Sequence, residues 1–178
     1  MKASARTQYW DSGVIVSFFN AKFEPERAKI VRALLEDAEA GRLEITTSSF
    51  ALVEVLKVDR EHPLTKEAED KVAAFFEKPY IHLINADRMI CEQARHLIWR
   101  FGTLRPKDSV HMGSALAFAE KRDLDALFSW DTDFTKLDGK ITKKFKICQP
   151  YIESPSLEDW ARSKSGEQTL PSDPSAQP

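Results

Sequence analysis

Short apolar strands alternate with helical segments along most of this chain, and no two-residue hairpin turn joins one strand to the next. Strands linked through helices run parallel, and a parallel sheet has to be covered on both faces. The pattern therefore predicts an α/β fold with a central parallel sheet. Strands are expected at Thr7 to Asp11, Leu43 to Thr47, Tyr80 to Ile84, Ala126 to Trp130 and near Phe145 to Ile147.

The intervening helices are read from their 3.6-residue period. Val14, Ile15, Phe18 and Phe19 mark the first, and Ala28, Val31, Leu34, Leu35 and Ala38 the second, with Pro25 suited to its first turn and Gly41 to its end. Ser48-Ser49 is placed to cap a third helix carrying Phe50, Leu52, Val53, Val55 and Leu56. Further helices are predicted over Thr65 to Glu77, Asp87 to Phe101 and Pro106 to about Lys121, and Ser156 to Ala161 has the spacing of one capped turn.

At 178 residues and 42% hydrophobic content the chain supports one domain, expected over residues 1–162. Residues 163–178 are rich in Ser, Pro and Gln with a single Leu, and are expected to form a disordered tail. Lys plus Arg number 26 against 28 for Asp plus Glu, a net charge of -2, so the whole molecule does not advertise a polyanionic partner and any nucleic-acid contact must be local. Cys91 and Cys148 have no disulfide or zinc-site spacing. Met1 to Gln8 does not read as a signal peptide and no apolar stretch reaches membrane-spanning length, so a cytoplasmic protein with no membrane contact is expected.

Four acidic residues, Asp11, Glu54, Asp108 and Asp131, lie in separate segments, each where a predicted strand ends or a helix begins. In an open parallel sheet ligands bind beyond the carboxyl ends of the strands, so the four converge on one crevice. Singly each has an ordinary reading: Asp11 as a helix cap, Asp108 as a first-turn acid favoured by the helix dipole, Glu54 as a solvated helix position, Asp131-Thr132-Asp133 as an Asx turn. Together, carboxylates at one sheet edge repel one another unless a cation is present, and an all-oxygen donor set selects Mg²⁺ or Mn²⁺ over Zn²⁺.

These residues resemble the motifs of the PIN-domain metal-dependent ribonucleases, most closely the VapC-type toxins of toxin–antitoxin systems. Tyr9-Trp10-Asp11-Ser12 is similar to the first motif, Thr46-Thr47-Ser48 leading to Glu54 to the second, and Leu104 to Ala115, with Asp108 followed three residues later by His111, to the third. Phe128-Ser129-Trp130-Asp131-Thr132-Asp133-Phe134 resembles the fourth, and Pro155 with Leu157-Glu158 the closing segment. Trp10, Trp130 and Gly113 depart from the residues usual at their positions.

The resemblance implies a three-layer α/β/α sandwich of PIN type. It implies Asp11 and Asp108 as principal metal ligands, Asp131 as a ligand directly or through water, Glu54 completing the cluster and Asp133 as an accessory. Ser129 would orient a metal-associated water and Ser12 support the Asp11 carboxylate. The implied reaction is endonucleolytic hydrolysis of RNA, leaving a 5′-phosphate and a 3′-hydroxyl. An antitoxin partner and a homodimer are implied in the same way. The alternatives are a non-catalytic RNA-binding or assembly module on this fold, and an aspartyl-phosphate phosphatase suggested by Asp131-x-Asp133, although that chemistry places its pair at the first strand.

Other residues are weighed on general grounds. His111 reads first as a hydrogen-bonded packing residue, and His62, His82 and His96 share no ligand spacing. Lys136, Lys140, Lys143, Lys144 and Lys146 suit an RNA backbone or a lysine-protected edge strand equally. Arg100, Arg105 and Lys107 beside Asp108 are read with the same reserve. Tyr9, Trp10 and Trp130 are expected to pack rather than to stack on a base. Phe18, Phe19, Phe23, Phe75 and Phe76 are expected in the core ahead of an exposed docking face.

Overall fold

The computed structural model describes residues 5–55 and 65–152. Its five strands are β1 Arg6–Trp10, β2 Leu43–Ser48, β3 Ile81–Ile84, β4 Ala126–Phe128 and β5 Lys146–Cys148. They form one sheet in the order β3-β2-β1-β4-β5, every neighbouring pair parallel. The chain winds outward from β1 to β3, then crosses back to add β4 and β5 on the other side of β1. β1 and β4 are thus the neighbours at which the winding reverses, and such a reversal opens a crevice at the strands' carboxyl ends.

The helices are α1 Ser12–Phe19, α2 Pro25–Glu39, α3 Ala51–Glu54, α4 Lys66–Phe76, α5 Arg88–Arg100, α6 Pro106–Ala119 and α7 Thr132–Thr135. Successive strand residues face opposite sides of a sheet, and two cores divide accordingly. Trp10 and Phe128 pack with residues of α1, α2 and α4, whereas Tyr9, Leu127 and Ile147 pack with residues of α5, α6 and α7. The result is the expected three-layer α/β/α sandwich.

Local chemistry fixes the boundaries. Pro25 begins α2, and Gly41, at φ +71°, takes the left-handed conformation that ends it. There the Arg42 N–H bonds to the Asp37 carbonyl at 2.9 Å and the Gly41 N–H to the Ala38 carbonyl at 3.0 Å, a Schellman closure. Gly113 lets α6 approach α5: a Cβ there would sit 3.2 Å from the Ile90 carbonyl oxygen and 3.4 Å from its Cγ2.

The third helix is shorter than the periodicity predicts, covering only Ala51–Glu54, with Leu56 outside the described residues. Ser48 stays in β2, its hydroxyl accepting the Phe50 N–H at 3.2 Å, and the Ser49 hydroxyl accepts the Ala86 N–H at 3.0 Å instead of capping a helix. β4 ends at Phe128 instead of Trp130, and the short α7 has no counterpart among the expected elements. The turn at Ser156 to Ala161 and the tail from Ser163 lie outside the described residues.

The phenylalanines largely belong to the interior. Phe75 and Phe76 are buried, Phe19 packs edge-on and Phe18 tilted against Phe75, and Phe23 alone of the five is largely exposed. Among the described residues no helix is long and apolar enough to cross a membrane.

The α5–α6 contact yields a test. Gly113→Leu forces a side chain against the Ile90 backbone, and overpacking of this kind costs about 1–3 kcal/mol. In a domain of this size the melting temperature should fall by roughly 2–10 °C in a calorimetric scan, and an unchanged value would mean that the two helices can separate freely.

Candidate metal centre

Asp11 is the first residue beyond β1. Its N–H donates to the Phe128 carbonyl at 3.0 Å, which continues the β1–β4 pairing, and its own carbonyl accepts the Val14 N–H at 3.0 Å to start α1. Although Asp11 is in the N-cap position, its side chain makes no cap hydrogen bond. The carboxylate turns into the crevice, where Oδ2 accepts the Ser129 hydroxyl at 2.8 Å and Oδ1 the Ser12 hydroxyl at 3.3 Å. Both serines are buried, so the Asp11 rotamer is fixed from two sides. The Ser12 contact is the supporting one the sequence suggests; Ser129 touches the acid itself.

Asp108 is brought in by Pro106 at the start of α6 and is buried. Burial pushes its carboxyl above the ordinary range, the Asp11 charge raises it further and Asp131 adds to this, against the opposing charges of Lys107 and Arg105. Glu54, at the end of α3, has the opposite balance. Burial disfavours its charge, but hydrogen bonds from His111 and Ser12, with the Lys107 charge, hold it down at about 2. The Lys107 ammonium lies 3.4 Å from Glu54 Oε1.

Asp131 follows β4 and spends one oxygen on the chain, Oδ1 accepting the Asp133 N–H at 2.8 Å to cap α7. The Asx turn and the crevice-facing reading are therefore both realised. The Ser129 hydroxyl in turn accepts the Asp131 N–H at 3.1 Å, which ties the two ends of the turn. Asp133 is exposed and its carboxylate pairs with Lys136 at 2.7 Å, so it does not join the other acids.

Asp11, Glu54, Asp108 and Asp131 all line one cavity of about 550 Å³, with Lys107 as the cation among its lining residues. Asp11, Glu54 and His111 offer ligand atoms within 4.8 Å of one another. The donor set is dominated by carboxylate oxygens, and Asp108 is raised first by burial and then by the charges of Asp11 and Asp131. That is the environment a hard divalent ion relieves, so these residues fit the Mg²⁺ or Mn²⁺ that the sequence suggests.

His111 is the hydrogen-bonded packing residue that the sequence suggests, and its partners connect it to the crevice acids. It is fully buried, as a packing residue should be, but both ring nitrogens are committed: Nδ1 lies 2.8 Å from the Tyr9 hydroxyl and Nε2 2.7 Å from Glu54 Oε2. Tyr9 is held well above its ordinary range by burial and then by the Asp11 charge, so it remains an O–H donor. With Tyr9 donating to Nδ1, the Nε2–H is left to donate to Glu54, so the ring links the two side chains. The spacing of Asp108 and His111, one turn apart on α6, was the available signal.

The lysines after Asp131 do not line the crevice. Lys136 pairs with Asp133, Lys144 with Glu120 at 2.7 Å, and Lys146 stands on the edge strand β5, the arrangement of a protected sheet edge. Tyr9 and Trp10 are fully buried; Trp130 lines the crevice.

The family model of the PIN domain matches residues 9–140. The chain belongs to the PIN-domain family. The match runs from Tyr9 in β1 to beyond Asp133, and so contains all four crevice acids. No match is found among curated proteins. Among solved structures, this PIN domain is similar to a chain in the crystal structure of VapBC2 from Rickettsia felis bound to a DNA fragment from their promoter. The TM-score is 0.54 at 14% identity, with 79% of this chain and 96% of that chain covered, a likeness of fold.

Two predictions follow from the electrostatics and the buried network. Because the folded-state pKa of Asp108 is raised, its contribution to stability is complete below the unfolded carboxylate value and is lost as pH rises through the folded value. Asp108→Asn should therefore raise the melting temperature in EDTA near neutral pH by roughly 2–4 °C for each kcal/mol of repulsion removed, with the gain vanishing below about pH 4; no gain would mean the acids do not repel. Tyr9→Phe removes one donor to His111 and should weaken Mn²⁺ binding about 10-fold in a titration, and unaltered affinity would disconnect the network from the site.

Proposed function

We propose that this PIN-domain protein is a metal-dependent endoribonuclease, the toxin of a VapBC-type toxin–antitoxin pair, working in the cytoplasm as a homodimer and silenced by a cognate antitoxin. The observation that carries the nuclease reading is the gathering of Asp11, Glu54, Asp108 and Asp131, from four separated segments, around one crevice at the winding reversal of the sheet. The toxin reading is supported by the resemblance of the four motifs to those of VapC-type toxins and by the likeness of fold to a chain of a VapBC complex. Family members that serve as inert modules would be expected to lose one of the acids, and none is lost here.

Asp11, Asp108, Asp131 and Glu54 would hold the ion, which when bound supplies Lewis acidity to a phosphodiester oxygen and a more acidic water. The chain's own contribution is positional. Ser129 and Ser12 fix the Asp11 carboxylate, and His111, anchored by Tyr9, holds Glu54 at the crevice. Lys107 faces the same space and offsets charge on an incoming phosphate. Asp133 acts through its N–H, which orients Asp131, while its carboxylate stays with Lys136.

Cleavage of total RNA by the purified protein with Mg²⁺, Mn²⁺ or EDTA, beside Asp11→Asn and Asp108→Asn, tests the proposal. Discrete metal-dependent fragments are expected, with both variants slower by about 100-fold or more, which corresponds to several kcal/mol of lost transition-state stabilisation. Cleavage that survives in both variants would point to a contaminating nuclease and contradict the assignment. RNA binding without cleavage would favour a non-catalytic module.

A further inference from the structure

Trp130 stands where the family motif usually carries a smaller residue, directly between Ser129, which holds Asp11, and the crevice acid Asp131. Its indole is half-buried against the core yet lines the carboxylate crevice, together with Val16 and Val53. Val53 is 65% exposed. Aromatic carbon beside exposed aliphatic carbon, set among carboxylates, is a surface that gains by covering with an apolar group.

The ring is also held in one orientation. Its Nε1–H donates to the Ser17 hydroxyl at 3.0 Å, and Ser17, fully buried, donates in turn to the Val14 carbonyl at 2.8 Å. The Arg27 guanidinium lies 5.0 Å from the ring centroid and is itself fixed to Glu24 at 3.1 Å. Arg27 does not line the crevice, so the indole meets the crevice with atoms the guanidinium leaves uncovered. Contacts from α1 and α2 thus hold a side chain whose ordering would otherwise be charged against binding.

We propose that Trp130 is a nucleobase-stacking subsite. Resting on the ribonuclease reading, it takes one unstacked base of single-stranded RNA against the indole, flanked by Val16 and Val53, and so sets the adjoining phosphodiester over Asp11, Asp108 and Asp131. A base has a face to offer only when it is out of a duplex, so the subsite selects single-stranded or looped RNA. Because every base has a π-face, the platform fixes position and single-strandedness more than sequence. Lys107, across the same crevice, meets the phosphate.

The test uses a short single-stranded RNA spanning a cleavage site mapped in total RNA, together with versions carrying one abasic residue at each position in turn. The full-length protein is compared with Trp130→Ala, Trp130→Leu and Trp130→Phe, each first shown to melt within a few degrees of the parent. Trp130→Ala and Trp130→Leu should raise KM roughly 5- to 100-fold, the range for loss of one stacked base, with kcat little changed, and Trp130→Phe should recover most of it. At one abasic position the parent should lose the same factor, and the Leu variant should lose nothing more.

A KM for Trp130→Leu equal to the parent's would overturn the subsite while leaving the nuclease intact, as would losses that add at every abasic position. A parent protein that neither binds nor cleaves the RNA would remove the ribonuclease reading, and the subsite with it.

Discussion

The 2.8 Å hydrogen bond from Ser129 to Asp11 joins the carboxyl ends of β1 and β4 across the place where the sheet reverses its winding. Everything around the crevice depends on it. It immobilises a buried carboxylate that would be costly without partners, and the same hydroxyl accepts the Asp131 N–H, so one small side chain sets two acids from opposite sides of the reversal. Such placement needs parallel strands whose ends lie side by side, which is why the fold and the site cannot be separated.

The charges gathered there are unevenly satisfied. Glu54 has an imidazole donor, a serine hydroxyl and an ammonium group, and is ionised with ease at about 2. Asp108 has burial and two neighbouring carboxylates against it, and is raised. A site of this kind is poised to take up positive charge, and the stabilising groups are arranged so that the acid nearest His111 is already fixed while Asp108 has the most to gain. The Tyr9–His111–Glu54 chain extends this order into the core below the sheet end, joining the first strand to α6 through atoms that water does not reach.

Much of this was legible in the chain. Strand and helix periods give the three layers because burial enforces them at every element, as Tyr9 and Trp10 illustrate by entering opposite cores. Asp11, Glu54, Asp108 and Asp131 could be selected because strand ends at a parallel sheet's edge have a common destination. What could not be read were pairings between distant side chains. Nothing local marks Tyr9 as the partner of His111 or Ser17 as the partner of Trp130, since those contacts exist only after α6 and α1 have docked. Asp133 reads in sequence as an accessory to Asp131, yet the turn into α7 leaves Asp131 lining the crevice and gives the Asp133 carboxylate to Lys136. Ser49 does not cap the third helix because it is drawn to the chain leaving β3, a long-range demand that outweighs its local capping preference.

The central claim is that the crevice exists to hold a divalent cation between acids from opposite sides of the winding reversal. Anomalous diffraction from crystals grown with Mn²⁺ tests it most directly, since it locates the ion without reference to activity. The account predicts a peak within the cavity in coordination distance, about 2.0–2.2 Å, of Asp11 and Asp108 oxygens. A Mn²⁺ peak outside the crevice, or an empty crevice at saturating Mn²⁺, would contradict it.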